Sequence, residues 1–266
     1  MPFTTFIDDL ALVEVFLLLV AAVLAYSGVR VWLAIRSNKP DVLRKVLRAS
    51  AVPVGLVGGA TLSLAIWGEM TWPFLASDGM AGYNIFFFDP MMLMGLVLVS
   101  LAVCAFLHLH LQYAGLFALV AGAAVAFYGW TGYTAHPAFT KDPFDTLLLY
   151  LGFGLAGALA LPATVVVDYY LSAVESGRTP WQVARSKLST GFRGLGTRAA
   201  QSVVPVGSSA TGEESSPTEM VYHMPRIIQA LVLLFPIIIA LAGIAAFWYF
   251  GVTLPGHLGA GAAGAP

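Results

Sequence analysis

The sequence predicts an all-α, polytopic membrane bundle of about six transmembrane helices with its N-terminus outside. Three observations carry this prediction. First, 59% of the 266 residues are apolar and only 10% are charged, where a soluble domain carries roughly a quarter. Second, six long runs of apolar residues recur along the chain, each near the ~20 residues that cross a bilayer core. Third, the basic residues fall on one side of a six-helix model. Arg30, Arg36, Lys39, Arg44, Lys45 and Arg48 lie at or between runs one and two, and Arg178, Arg185, Lys187, Arg193, Arg198 and Arg226 between runs five and six. Lys141 is the exception, so twelve of thirteen cations share a face. The positive-inside rule makes that face cytoplasmic. An odd number of helices between the two basic loops would have split them.

The runs can be taken in order. The first covers residues 10–35 and follows Asp8 and Asp9. A cleaved signal would open with a basic segment and a shorter apolar core, so a permanent helix is expected. The second covers 49–67, with Pro53 in its first turn. The third covers 90–111 and the fourth 114–130. The fifth covers 144–171 and the sixth 227–250, with Pro162 and Pro236 predicting kinks. All are continuous rather than alternating, which excludes a β-barrel. Small residues at Gly55-x-x-x-Gly59, Ala118-x-x-x-Gly122-x-x-x-Ala126 and Gly154-x-x-x-Ala158 allow helices to approach closely.

Four regions follow: a five-helix membrane core over 1–171, a cytoplasmic loop over 172–225, a sixth helix over 226–254 and a disordered Gly/Ala tail over 255–266. In the loop, Thr179-Pro180 suits a helix start. Trp181, Leu188, Phe192 and Leu195 then recur at helical spacing, with Arg185, Lys187 and Arg193 between them. This pattern predicts an amphipathic helix on anionic lipid. The stretch 207–218 is rich in Ser, Gly and Glu and reads as a flexible linker.

Chemistry is sparsely marked. Catalytic triads, P-loops and dinucleotide fingerprints are absent at recognisable spacing, and Gly191-Phe-Arg-Gly-Leu-Gly196 lacks the strand–turn–helix setting of a phosphate site. Cys104 is the single cysteine, which excludes an internal disulfide. A net charge of −1 points to no nucleic-acid partner.

The outer face gathers carboxylates and aromatics. Glu14 lies in the second turn of the first run, and Asp89-Pro90 and Asp142-Pro143 read as N-cap and first-turn pairs of runs three and five. Glu14, Glu69 and Asp89 are the ligand or ion candidates. Met70, Met91 and His136 join carboxylates in a topological set that can bind copper. His108 and His110, at the inner end of run three, are the haem candidates. Asp168 is a second shallow acid, near the inner end of run five. Acids inside a membrane are costly and often functional.

From Tyr83-Asn-Ile-Phe-Phe-Phe-Asp-Pro90 and the Met/Leu/Gly helix after it, the chain resembles a family of uncharacterised polytopic membrane proteins found mainly in archaea and thermophilic bacteria. The resemblance covers about 10–171, including Gly68-Glu69 and Asp142-Pro143. It implies a multi-helix membrane fold and hands over no catalytic residue. Its matching outer positions here are Glu69, Tyr83, Asn84 and Asp89.

Three functions are expected from these features. The leading one is a non-catalytic, multi-pass plasma-membrane protein, an accessory or assembly subunit that meets other membrane subunits or its own copies. The second is a small-solute or ion transporter. The third is a membrane redox protein holding copper or haem.

Overall fold

A computed structural model describes residues 9–71, 82–135, 143–176 and 225–263. Among these residues the regular structure is entirely helical. The helices are α1 (Asp9–Arg36), α2 (Pro40–Thr71), α3 (Gly82–Phe106), α4 (Leu111–Ala135), α5 (Pro143–Ser176) and α6 (Arg226–Ala263). All six are long and apolar enough to cross a membrane.

Each helix packs on its neighbours in the chain, and α6 returns to pack on α1. The bundle is therefore a closed ring of helices in chain order. Its two ends differ. The end where α1 begins carries Glu14, Glu69 and Asp89. The other carries Arg36, Arg44 and Arg48. They are called here the acidic end and the basic end.

Small residues set the closeness of the ring. A Cβ built on Gly122 would lie 2.6 Å from the Gly154 carbonyl oxygen and 2.9 Å from the Gly157 Cα. A Cβ on Gly157 would lie 2.6 Å from the Ala118 carbonyl oxygen. The small-residue stripes of α4 and α5 thus face each other, and backbones touch without side chains between them. On α2 the contact falls on Gly55 and Gly58, not Gly59. Gly58 would meet Leu98 at 2.6 Å, while Gly59 has nothing within 4 Å.

The two short turns at the basic end share one design. Asn38 and His108 each adopt positive φ, at 51° and 56°. Lys39 N donates to Ala34 O at 3.2 Å, and Leu109 N to Cys104 O at 2.9 Å. These are the six-to-one bonds of a Schellman helix end, built without the usual glycine. Asn and His are among the residues that tolerate this conformation best. The end of α5 secures both turns. Tyr170 donates to Asn38 Oδ1 at 3.0 Å. Asp168 accepts the backbone N–H groups of Leu111 at 3.0 Å and Gln112 at 2.8 Å. A carboxylate from α5 therefore caps the start of α4, satisfying N–H groups that a helix start leaves open.

Several boundaries differ from the sequence reading. α2 begins at Pro40 rather than residue 49, because its polar first turns are tied down. Arg44 bonds Glu175 of α5 at 2.9 Å and lies 3.8 Å from Asp41. Hydropathy finds the apolar part of a helix and misses such interfacial turns. Likewise α5 runs to Ser176, past the expected boundary at 171. α6 runs to Ala263, past the expected end of the sixth run at 250. The predicted amphipathic helix, with Arg185, Lys187 and Arg193, lies outside the described residues.

Outward-facing side chains are large and apolar. Leu56, Val120, Phe127 and Ile244 are each more than 60% exposed. Such a continuous apolar exterior suits lipid and not water.

Candidate functional site

The acidic end holds a junction of three helices. α3 begins at Gly82, seven residues before Asp89, so Asp89 is not the N-cap that its Asp-Pro dipeptide suggested. The helix continues through Pro90 because the face made by Asn84, Phe87, Phe88 and Met91 is buried at helical spacing. Pro90 has no N–H and leaves the carbonyl of Phe86, four residues back, without its helical donor. Tyr150 of α5 supplies a replacement. Its hydroxyl donates to Phe86 O at 2.5 Å, and its ring stacks on Phe86 with centroids 4.7 Å apart.

Freed from capping, Asp89 turns to side chains. Tyr128 of α4 donates to Asp89 Oδ2 at 2.6 Å. The Glu69 carboxyl of α2 is close enough to Asp89 for the two acids to interact electrostatically. Glu69 Oε1 is shut off from solvent and has no hydrogen-bond partner. One residue earlier on both helices, Gly68 leaves room for the Phe88 ring, which a Cβ would meet at 2.4 Å. Gly68-Glu69 thus faces Phe88-Asp89 across the α2–α3 contact.

The other sequence candidates sort as follows. Asn84 and Glu14 are both buried, at 0% and 1% exposure. Val13, next to Glu14, packs in a cluster with Ala65, Phe87, Phe88 and Met91. Tyr83 lies in the first turn of α3, but its side chain is not among those described. Met91 is 2% exposed in that same cluster, whereas Met70 is 80% exposed. The two methionines thus differ sharply in exposure. His136 lies outside the described residues. Among the described residues, no three His, Cys, Asp or Glu side chains gather as metal ligands.

His108 and His110 were expected on the last turn of run three. They lie instead in the turn between α3 and α4, because α3 ends at Phe106. Both are exposed. His110 Nδ1 is 3.9 Å from Asp168 Oδ2.

Among the described residues, three partly open cavities that the sequence did not indicate lie between the helices. The first, about 90 Å³, is lined by α1, α3, α4, α5 and α6, with Leu17, Met94, Ala121, Val125 and Phe153 on its wall. The second, about 120 Å³, lies nearer the basic end and is lined by all six helices, including Ser50, Ala163 and Val232. Leu24, Leu101, Ala160 and Phe235 line both. The third, about 250 Å³, opens at the basic end and is polar, with Arg44, His108, His110, Asp168, Ser172 and Glu175. It shares Leu47, Ala105 and Leu111 with the second. The acidic junction sits beside the opposite end of this series, since Pro90 and Met91 line the first cavity.

Tyr128 and Tyr150 were missed at the sequence level. The available signal was Pro90 itself, which frees the carbonyl at position 86 and calls for a donor from another helix.

A closed ring of six membrane-length helices around an apolar interior defines an all-helical membrane protein. Comparison of the sequence with family models identifies which one. Residues 1–175 match the family described as "Protein of unknown function (DUF981)", and the chain belongs to that family. No curated protein and no solved structure matches the chain. The residues that carried the resemblance, Gly68-Glu69 and the segment ending Phe88-Asp89-Pro90, meet at the acidic junction. The segment of α6 lies beyond the matched residues yet closes the ring.

Proposed function

We propose that this protein is a multi-pass cell-membrane protein that binds and carries a small apolar molecule drawn from the bilayer, with its basic end toward the cytoplasm. One observation carries the reading: the apolar, partly open cavity between the helices of the ring, walled by five of the six. Soluble and membrane proteins alike place small-molecule sites in such interior clefts between helices. An apolar cavity too dry for water still accepts an apolar guest. Among the functions expected from sequence, this favours a solute carrier. An accessory-subunit role would act through the outer surface, where the exposed Leu, Val and Phe side chains serve lipid equally well.

The test is saturable binding of isotopically labelled toluene to the full chain in nanodiscs, corrected for partition into empty nanodiscs. A one-site component is expected for the native sequence. It should be lost in Ala121→Leu and weakened in Met94→Phe, which fill the first cavity from α4 and α3. Purely linear uptake by the native protein would sink the reading.

A further inference from the structure

The three cavities adjoin one another in series through shared lining residues. Leu24, Leu101 and Phe235 line both the first and the second, and Leu47 and Leu111 both the second and the third. On α5 the two apolar cavities together run from Leu149 to Val167, eighteen residues, or about 27 Å of helix at 1.5 Å per residue. That nearly equals the ~30 Å thickness of the hydrocarbon core. Neither apolar cavity alone, at about 90 and 120 Å³, reaches the ~300–1,000 Å³ of sites for compact drug-sized molecules. A narrow file of small cavities suits a flexible single chain better than a compact solute.

The polar cavity sets the nature of the head. Its charged lining is Arg44 against Asp168 and Glu175, one cation and two carboxylates. Arg44 is already bonded to Glu175, and Asp168 to the start of α4. An anionic head would meet an unfavourable balance there, since like charges in a partly desolvated site repel strongly. The imidazoles of His108 and His110 line the same cavity and can donate to a carbonyl or hydroxyl oxygen.

We propose that the ligand is a single-chain amphiphile, with its tail threaded through the two apolar cavities and an uncharged, oxygen-bearing head in the polar cavity between Arg44, His108, His110 and Asp168. The inference rests on the carrier reading above. Two sources share this chemistry, a long-chain quinone and a monoacylglycerol.

The experiment uses the full chain in nanodiscs and four probes: a quinone with a decyl tail, the same quinone without the tail, monodecanoylglycerol and decanoate. Saturable one-site binding is expected for the tailed quinone, the glyceride or both, and whichever binds names the source. Loss of the tail, or exchange of the head for carboxylate, should weaken binding by about tenfold or more, a difference of about 1.4 kcal/mol. Ser50→Leu, which narrows the second cavity, should weaken the tailed probes. Met94→Phe is the second blocking variant if Ser50→Leu folds poorly. Replacing both His108 and His110 by Ala should weaken the head-bearing probes and leave toluene binding unchanged. Decanoate binding as tightly as the uncharged probes would overturn the assignment of the head. Toluene binding without any tailed probe would overturn the amphiphile and leave the apolar cavity standing. No saturable binding of any probe, toluene included, would overturn both.

Discussion

At the scale of single residues, the acidic end turns on one missing hydrogen. Pro90 removes the donor that Phe86 O would have had, and Tyr150 restores it from another helix. In lipid, an unsatisfied backbone carbonyl costs several kcal/mol, although interhelical hydrogen bonds measured in membranes average only ~0.6 kcal/mol. Tyr150→Phe keeps the ring stack on Phe86 and removes only the hydroxyl. It should destabilise the bundle by about 1–2 kcal/mol, within the ~1–3 kcal/mol typical of a buried group left unpaired. Pro90→Ala returns the helical N–H, so Tyr150→Phe should cost distinctly less in that background. A double-mutant cycle of denaturant unfolding in mixed micelles measures the difference. Equal cost in both backgrounds would mean that the hydroxyl does not serve the carbonyl. The same residues show where sequence reading stopped. Asp89-Pro90 has the composition of a helix start, and nothing local distinguishes a cap from a proline tolerated inside a membrane helix. The distinction depends on Tyr150, sixty residues away.

At the scale of elements, the ring is drawn together by small residues, and position matters more than motif. Gly122 sits where a Cβ would meet the Gly154 carbonyl oxygen at 2.6 Å, while Gly59 faces open space. Gly122→Ala must push α4 and α5 apart and should destabilise by about 1–3 kcal/mol, as overpacking of tight cores does. Gly59→Ala meets no neighbour and gains up to about 1 kcal/mol of helix propensity. It should be neutral or stabilising. Denaturant midpoints of the two variants, measured side by side, check the contrast, and a reversed order would refute it. The helices themselves were largely legible. Long apolar runs marked all six, and the stripes on runs four and five were named without the pairing that the structure gives them. The helix ends were not legible, because Arg44, Glu175 and Asp168 continue helix into the interface through tertiary bonds that hydropathy cannot register. Neither was the acidic junction. Glu69 and Asp89 were named, but their partner Tyr128 reads locally as one more aromatic in an apolar run.

At the scale of the whole molecule, the ring has chemically opposite ends, and charge predicts which faces the cytoplasm. Acidic residues at the other end carry little weight in that rule; Lys and Arg near short loops decide it. Single cysteines report the orientation directly. With Cys104→Ser as background, Leu109→Cys places a thiol in the exposed α3–α4 turn at the basic end, and Thr134→Cys places one at the exposed acidic end of α4. A membrane-impermeant maleimide should label the Thr134→Cys protein in intact cells and the Leu109→Cys protein only after permeabilisation. The inverse pattern would reverse the topology. It would also turn the polar cavity of Arg44, His108 and His110 toward the outside. Labelling of both in intact cells would mean that α4 does not cross the membrane, and an enclosed ring could not then span it. The orientation therefore bears on the proposed ligand as well. With the basic end inside, the proposed amphiphile would enter tail-first from the cytoplasmic side and leave its head in the polar cavity. Its tail then reaches toward the Glu69–Asp89–Tyr128 junction at the far end of the ring.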